Sequence, residues 1–315
     1  MKNVFFVSLL FFFTAGICSC EKAAIPSAAA PDDVKQHISS LTGLSGFSIT
    51  KQFVTGFEAI SDFDSFYIVP DGYLGTTYHS LTNSSKHGGS YSHFAFINGS
   101  NSVTPYLNTN HRGYPTIQLY KTQGAFQGAV FCEFYVKLNI TLTASADMEW
   151  FSFATLTSYG DDYWSRTVLV NLDYNNIVRL MHMPAQGQSV CDIYQTDTVT
   201  FPMNEWVKLS ILLDYTSDNE YLSPYAKVWQ NDVLVSGARF NPRVDPSTID
   251  TGWWPDCLTS PVLWAPSDGI EAAESRCGLN YTAGLAQAHF GMYAPPLLTG
   301  GEVWNDDLVI YEITR

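Results

Sequence analysis

From about residue 50 onward, apolar and polar residues alternate in short runs, and a period of two leaves little room for anything but strands. Val130-Phe131-Cys132-Glu133-Phe134-Tyr135-Val136-Lys137-Leu138 is one of these runs, and Thr116-Ile117-Gln118-Leu119-Tyr120 is another. Glu149 to Thr155, Thr167 to Leu172, Ile177 to Met183 and Trp206 to Tyr215 follow the same rule. Ala226 to Val235 reads as a hairpin turning at Gln230-Asn231-Asp232, and Ala288 to Tyr293 and Glu302 to Glu312 close the series. Short strands at frequent turn signals, with almost no helical periodicity, predict an all-β sandwich of two antiparallel sheets. No repeat and no shift in composition divides residues 46–315 into two domains.

The first residues predict export. Lys2 precedes an apolar run from Val4 to Phe13, too short for a permanent membrane span, and small residues follow. Residues 1–19 are therefore expected to be a signal peptide. Ile17-Cys18-Ser19-Cys20 resembles the lipobox of bacterial lipoproteins, which implies lipidation at Cys20 and a protein anchored by lipid to a bacterial membrane, at the cell surface or in the periplasm. Residues 20–45, rich in Ala and Pro, are expected to be the tether, with a short helix around Asp32 to Leu41.

Export permits disulfides. Cys257 and Cys277 would close a ring worth about 3 kcal/mol in the chain-entropy model. Cys132 and Cys191 are left either as a pair or as buried thiols. Sixteen Lys+Arg stand against 30 Asp+Glu, giving a net charge of −14 with no basic stripe, which argues against nucleic acid as a partner. The same charge opposes long-range attraction of a polyanion, although a local Arg/His patch can dominate a groove at physiological screening.

The order of strands carries a resemblance. Trp206-Val207-Lys208-Leu209-Ser210-Ile211 followed by Lys227-Val228-Trp229-Gln230-Asn231-Asp232-Val233-Leu234-Val235 is similar to adjacent strands of the concanavalin A-like lectin/glucanase superfamily. His289-Phe290-Gly291-Met292-Tyr293, then Gly301-Glu302-Val303-Trp304-Asn305-Asp306-Asp307-Leu308-Val309-Ile310, resembles the last two strands of jelly-roll polysaccharide lyases of the alginate and glucuronan type. The resemblance implies a concanavalin A-like jelly roll and cleavage of a uronic-acid polysaccharide by β-elimination. That step needs a neutralised carboxylate, a base for the C5 proton and an acid for the leaving oxygen.

In His111-Arg112-Gly113-Tyr114-Pro115-Thr116-Ile117-Gln118-Leu119-Tyr120, alternation is expected to put Tyr114, Thr116, Gln118 and Tyr120 on one polar face. By the resemblance, Arg112 and Gln118 neutralise the carboxylate, His111, His93 or His182 is the base, and Tyr293 or Tyr120 is the acid. Tyr114, Tyr120 and His182 would also contact substrate. The family's R-S/T-E-L-R and Q-I-H strands are not read in the sequence as written. The hydrolase strand E-x-D-x-x-E is absent too, and Glu133, Glu149 and Asp173 are scattered acids, which disfavours glycoside hydrolysis. Trp253, Trp254 and Trp264 lie in a Pro/Gly-rich stretch and read either as a stacking platform for sugar rings or as a cap on one end of the core. Lectin-like sandwiches often hold a structural Ca²⁺, and Glu58, Asp306 and Asp307 match that site by type. No organic cofactor is expected. The alternative function is a surface lipoprotein that binds glycans without cleaving them.

Overall fold

A computed structural model describes residues 31–63, 65–66, 76–102, 109–145, 148–158, 167–183, 191–215, 225–240, 274–275 and 284–315. The elements in chain order are α1 (Pro31–Thr42), β1 (Ser48–Thr55), a 3₁₀ turn (Ile60–Asp62), β2 (Ser65–Phe66), β3 (Thr77–Thr82), β4 (Ser92–Asn98), β5 (His111–Gly113), β6 (Pro115–Ile117) and α2 (Leu119–Thr122). There follow β7 (Ala129–Asn139), β8 (Trp150–Thr157), β9 (Thr167–Asp173), β10 (Ile177–Met183), β11 (Cys191–Thr200) and β12 (Trp206–Asp214). The last are β13 (Tyr225–Gln230), β14 (Val233–Phe240), β15 (Glu274–Ser275), β16 (Gln287–Ala294) and β17 (Gly300–Thr314).

The strands form a jelly-roll sandwich of two sheets. The larger runs β15-β14-β13-β12-β7-β17-β4-β3, with β1 also on β17. The smaller runs β11-β10-β9-β8-β16-β6-β2, with β5 also on β16. Among the described residues, all pairings are antiparallel except the two-residue β14–β15 contact. Alternation decides which side chains meet between the sheets. β7 buries Val130, Cys132, Phe134, Val136 and Leu138, and β16 buries Ala288, Phe290 and Met292 against them. Phe134 and Phe290 touch edge to face at 4.9 Å across the gap. The hairpin expected at Asn231-Asp232 is a two-residue turn, with φ of 48° and 66°, which suits Asn and Asp.

Residues from Pro31 onward, assigned to the tether on sequence grounds, pack on the sandwich. Pro31 and two acids open α1, and Gly43, at φ +73°, ends it. Val34, Ile38 and Leu41 recur at helical spacing and lie on Phe131, Leu212, Trp229 and Tyr311 of the larger sheet's outer face. His37 reaches Glu133 at 2.8 Å, and Ser210 donates to the same carboxylate at 2.7 Å. Residues 1–30, with the expected signal and Cys20, lie outside the described residues, as do Cys257 and Cys277. Cys132 is a free thiol in the core, where burial pushes its pKa up.

Gly291 lets the two sheets meet. It has φ +146°, and a Cβ there would lie 2.7 Å from Gly113 O and 2.9 Å from His93 Cε1. Gly291→Ala combines a backbone that L-residues avoid with a clash against backbone, so it should cost about 2–4 kcal/mol in urea unfolding. A loss below about 1 kcal/mol would show that β5 and β16 can part at that point.

Candidate functional site

The outer face of the smaller sheet is polar where the inner face is apolar, and β16 lies at its centre. Its outward residues are Gln287, His289 and Tyr293, with a bulge between Phe290 and Tyr293. Register pairing builds two rows across the strands. One row is Arg112 (β5), Tyr293 (β16), Ser152 (β8), Asn171 (β9) and Arg179 (β10). The next is Ser65 (β2), Thr116 (β6), His289, Thr155 and Leu169.

Tyr293 is held by aromatic and polar neighbours. Trp150 meets its ring at 5.1 Å, Tyr114 at 6.2 Å and edge-on, and the Arg112 guanidinium lies 5.9 Å from its centroid. Asn110 Nδ2–H donates to its hydroxyl at 3.1 Å. Tyr114 stacks on His289 with centroids 4.2 Å apart. Gln287 Nε2 is 3.3 Å from His289 Nε2, so the amide donates and the imidazole accepts. Burial, reinforced by Arg112, drives the His289 pKa down to about 3, and the ring is neutral.

The structure redistributes the roles expected from sequence. Arg112, Tyr114 and Tyr293 do come together. His111 does not join them, because it neighbours Arg112 on a strand and therefore faces inward. Its Nε2–H donates to Leu298 O at 2.9 Å and Nδ1 lies 2.8 Å from Thr77 Oγ1. Burial lowers its pKa to about 4. His93 is likewise an inner-face residue, fully buried, 3.3 Å from His79 Nδ1 and with its pKa driven well down by burial. β6 stops at Ile117, opposite Ala288, and the chain turns into α2 with Gln118 at its start; the Tyr120 amide still donates to Ala286 O at 3.0 Å, and its ring lies 5.5 Å from Lys121 Nζ. The His182 backbone pairs with Val168 and Cys191, and its side chain is outside the described residues, as are Trp253, Trp254 and Trp264.

Gln287 was missed and His289, which opens the strand of Tyr293, was given no role, although a signal for both existed. Gln287-Ala288-His289 has the Gln-x-His spacing, and alternation from Tyr293 back along the strand reaches both. Trp150, Ser152 and Asn171 are brought in by pairing alone.

The acids expected to hold calcium gather round the loop 87–91 at the β17 bulge. Asp306 Oδ2 accepts the His87 and Gly88 amides at 2.7 and 3.1 Å, and its Oδ1 accepts the Asp307 amide at 2.9 Å. Glu58 Oε1 accepts from Ser90 N at 2.8 Å, and Asp307 Oδ2 meets His87 Nδ1 at 2.7 Å. Burial pushes the Asp306 pKa up to about 6, and Asp307 adds to it. A Cβ on Gly56 would lie 3.8 Å from Glu58 Oε1 and 3.9 Å from Asp307 Oδ1, so these two carboxylates approach one spot. Backbone amides and the His87 ring already occupy oxygens of all three carboxylates, and among the described residues these acids do not form a group of three converging ligand atoms. A second group of ligand types, His37, Glu133 and Asp232, lies beside α1, but Lys208 Nζ sits 2.7 Å from Asp232 and supplies the positive charge.

Neither a protein-family model nor a curated protein matches the sequence. Among solved structures, the cellulose-induced protein Cip1 is 15% identical, with 82% of this chain and 95% of that one covered and a TM-score of 0.46. The endo-β-1,4-glucuronan lyase from the fungus Trichoderma reesei is 11% identical, with 84% and 95% covered and a TM-score of 0.49. The alginate lyase AlgAT5 from polysaccharide lyase family 7 is 12% identical, with 86% and 96% covered and a TM-score of 0.40. Likeness at this level leaves the chemistry to be argued from the site itself.

Proposed function

We propose that the protein is an exported, lipid-anchored lyase that cleaves a uronic-acid polysaccharide by β-elimination on the outer face of the smaller sheet. The observation that supports it is the meeting of Arg112, Gln287, His289 and Tyr293 on β16 and its neighbour β5. Arg112 and the Gln287 amide pair with the uronate carboxylate, which makes the C5 proton more acidic by offsetting the charge of the enolate. His289, neutral in the resting site, takes that proton at Nε2 once substrate displaces the Gln287 amide. Substrate carboxylate on Arg112 also removes the charge that depresses His289, so binding makes the base stronger. The C4–O bond breaks, a C4=C5 double bond forms, and the Tyr293 hydroxyl protonates the leaving oxygen.

The test is the ultraviolet absorbance of that double bond with β-1,4-glucuronan, alginate and related polymers as substrates. A rise with one polymer supports the reading. No rise with any, together with binding to one of them, supports glycan binding without cleavage. One observation favours that second reading: a histidine this buried and this acidic is a weak base near neutral pH.

Arg179 lies four strands from Arg112 along the polar row, about 19 Å away at the usual strand spacing, and pairs with Asp173 at 3.2 Å. It would hold a second carboxylate of the same chain. Arg179→Ala should therefore raise KM by about 3- to 10-fold with kcat nearly unchanged, as expected for uniform binding. A fall in kcat with constant KM would place Arg179 elsewhere in the reaction.

Calcium, as a structural ion at Glu58 and Asp307, would relieve the acidic crowding at the bulge. Chelation should lower Tm by several degrees and added Ca²⁺ restore it. A Tm indifferent to both removes the ion from the proposal.

A further inference from the structure

Asn110 immediately precedes β5, and Arg112 stands two residues further on. Alternation therefore turns both side chains to the outer face of the smaller sheet. Arg112 pairs directly with Tyr293 and His111 with Ala294, so Asn110 is the diagonal neighbour of Tyr293. Asn110 and Tyr293 are both half-buried, and Asn110 Nδ2–H donates to the Tyr293 hydroxyl at 3.1 Å.

That bond has a direction. A carboxamide nitrogen carries hydrogens and offers no lone pair, so toward the phenol it only donates. The phenol oxygen conjugates with its ring, which keeps the O–H bond and one lone pair in the ring plane, on opposite sides of the oxygen. Asn110 occupies the lone-pair side and leaves the proton on the other. Trp150 at 5.1 Å, Tyr114 at 6.2 Å and the Arg112 guanidinium at 5.9 Å surround the ring and fix its plane. The hydroxyl is thus held with its proton turned away from Asn110, ready to be given to a ligand atom.

The same N–H helps the proton leave. Negative charge gathers on the phenol oxygen as the O–H bond stretches, and a hydrogen bond to an anionic oxygen is stronger than one to a neutral oxygen. The contact therefore tightens between ground state and transition state, which raises kcat rather than lowering KM.

We propose that Asn110 is a positioning residue for proton donation, acting through Tyr293: it turns the hydroxyl proton toward the leaving oxygen and holds the phenolate that remains. This rests on the elimination reading of the groove. The electron pair of the C4–O bond leaves with the oxygen, which takes the Tyr293 proton. The phenolate keeps the Asn110 N–H until solvent returns a proton, and His289 releases the C5 proton to solvent, so both residues end the cycle as they began.

The test measures elimination by the absorbance of the new double bond, using the full chain and β-1,4-glucuronan or alginate, whichever wild type cleaves. Asn110→Ala removes the donor and should lower kcat about tenfold. Asn110→Asp keeps the shape but only accepts, so the bond turns round and the proton points at the carboxylate; kcat should fall about 10²-fold. The added charge opposes the substrate carboxylate and acts on KM, so kcat is the quantity compared. In a Tyr293→Phe background neither substitution should lower kcat by more than about twofold, because the group it acts through is gone. Asn110→Ala, the smaller change, keeps the test open if the charged variant does not fold. Wild type without elimination on either polymer takes this proposal down together with the elimination reading. An active wild type whose two Asn110 variants keep kcat, lose only KM, or lose kcat equally in the Tyr293→Phe background overturns this proposal alone.

Discussion

Tyr293→Phe should lower the rate of elimination by about 10²- to 10⁴-fold, the range expected for a lost general acid, with little change in KM. The phenyl ring keeps every packing contact: Trp150 on one side, Tyr114 on another and the Arg112 guanidinium beside it. Only the hydroxyl goes, together with the hydrogen bond from Asn110. A single hydrogen bond is worth about 1 kcal/mol, so the urea midpoint should barely move. His289→Gln makes the complementary measurement, since it retains an acceptor near Gln287 but no imidazole to take the C5 proton. Full activity in Tyr293→Phe would pass the acid's role to another group. Full activity in both would remove β16 from the chemistry altogether.

Stability should fall steeply with acid, and the buried imidazoles are the reason. His93, His111 and His289 are all held neutral, with pKa values driven down by burial, to about 4 for His111 and about 3 for His289. The unfolded chain protonates all three near the ordinary value of 6.5. A depressed folded-state value therefore contributes stability that is complete above pH 6.5 and is lost as pH falls below it. Asp306 works in the other direction. Its value is raised from 3.8 to about 6, so the folded state binds that proton first, and acid favours the fold across that window. Three protons against one leave a net of two, or about 2.7 kcal/mol lost per pH unit near pH 5.

Urea midpoints measured across that range would check the slope. His111→Gln removes one of the three protons and should halve the slope to about 1.4 kcal/mol per pH unit. An unchanged slope would mean that His111 is charged in the fold despite its bond to Leu298 O. The same variant is not expected to alter the chemistry of the groove, because its side chain lies on the inner face of the sheet.

Much of the fold was legible as a pattern. The run around Val130 to Leu138 became β7, with the inward set the alternation required. The Asn231-Asp232 turn, the β16 strand and the final strand were readable for the same reason, that a period of two is a local property. Tyr78, Phe94 and Phe96 show the limit. Lys86 to His93 reads as a turn entering a strand, which is where β4 begins, but the strand of Tyr78 was not picked out.

The site was half legible. Arg112, Tyr114 and Tyr293 were reachable from residue type and alternation. His111 was not separable from them, because a one-residue step along a strand reverses the face, and only the paired structure says which side is the core. Nothing in Leu119-Tyr120-Lys121 announces that the strand carrying Thr116 has ended and that Gln118 stands at the start of α2.

What the sequence by itself determined was the period: which residues share a face, where the tightest turns fall, and that the chain would stack sheets. Those are consequences of backbone geometry acting over a few residues. Only the tertiary structure decided the register between strands 150 or more residues apart, such as Tyr293 beside Arg112 and Trp304 beside Phe94. Register is set by burial of whole faces and by sites such as Gly291, where one sheet makes room for a side chain of the other. No local window contains that information, and the polar row around Tyr293 is built from it.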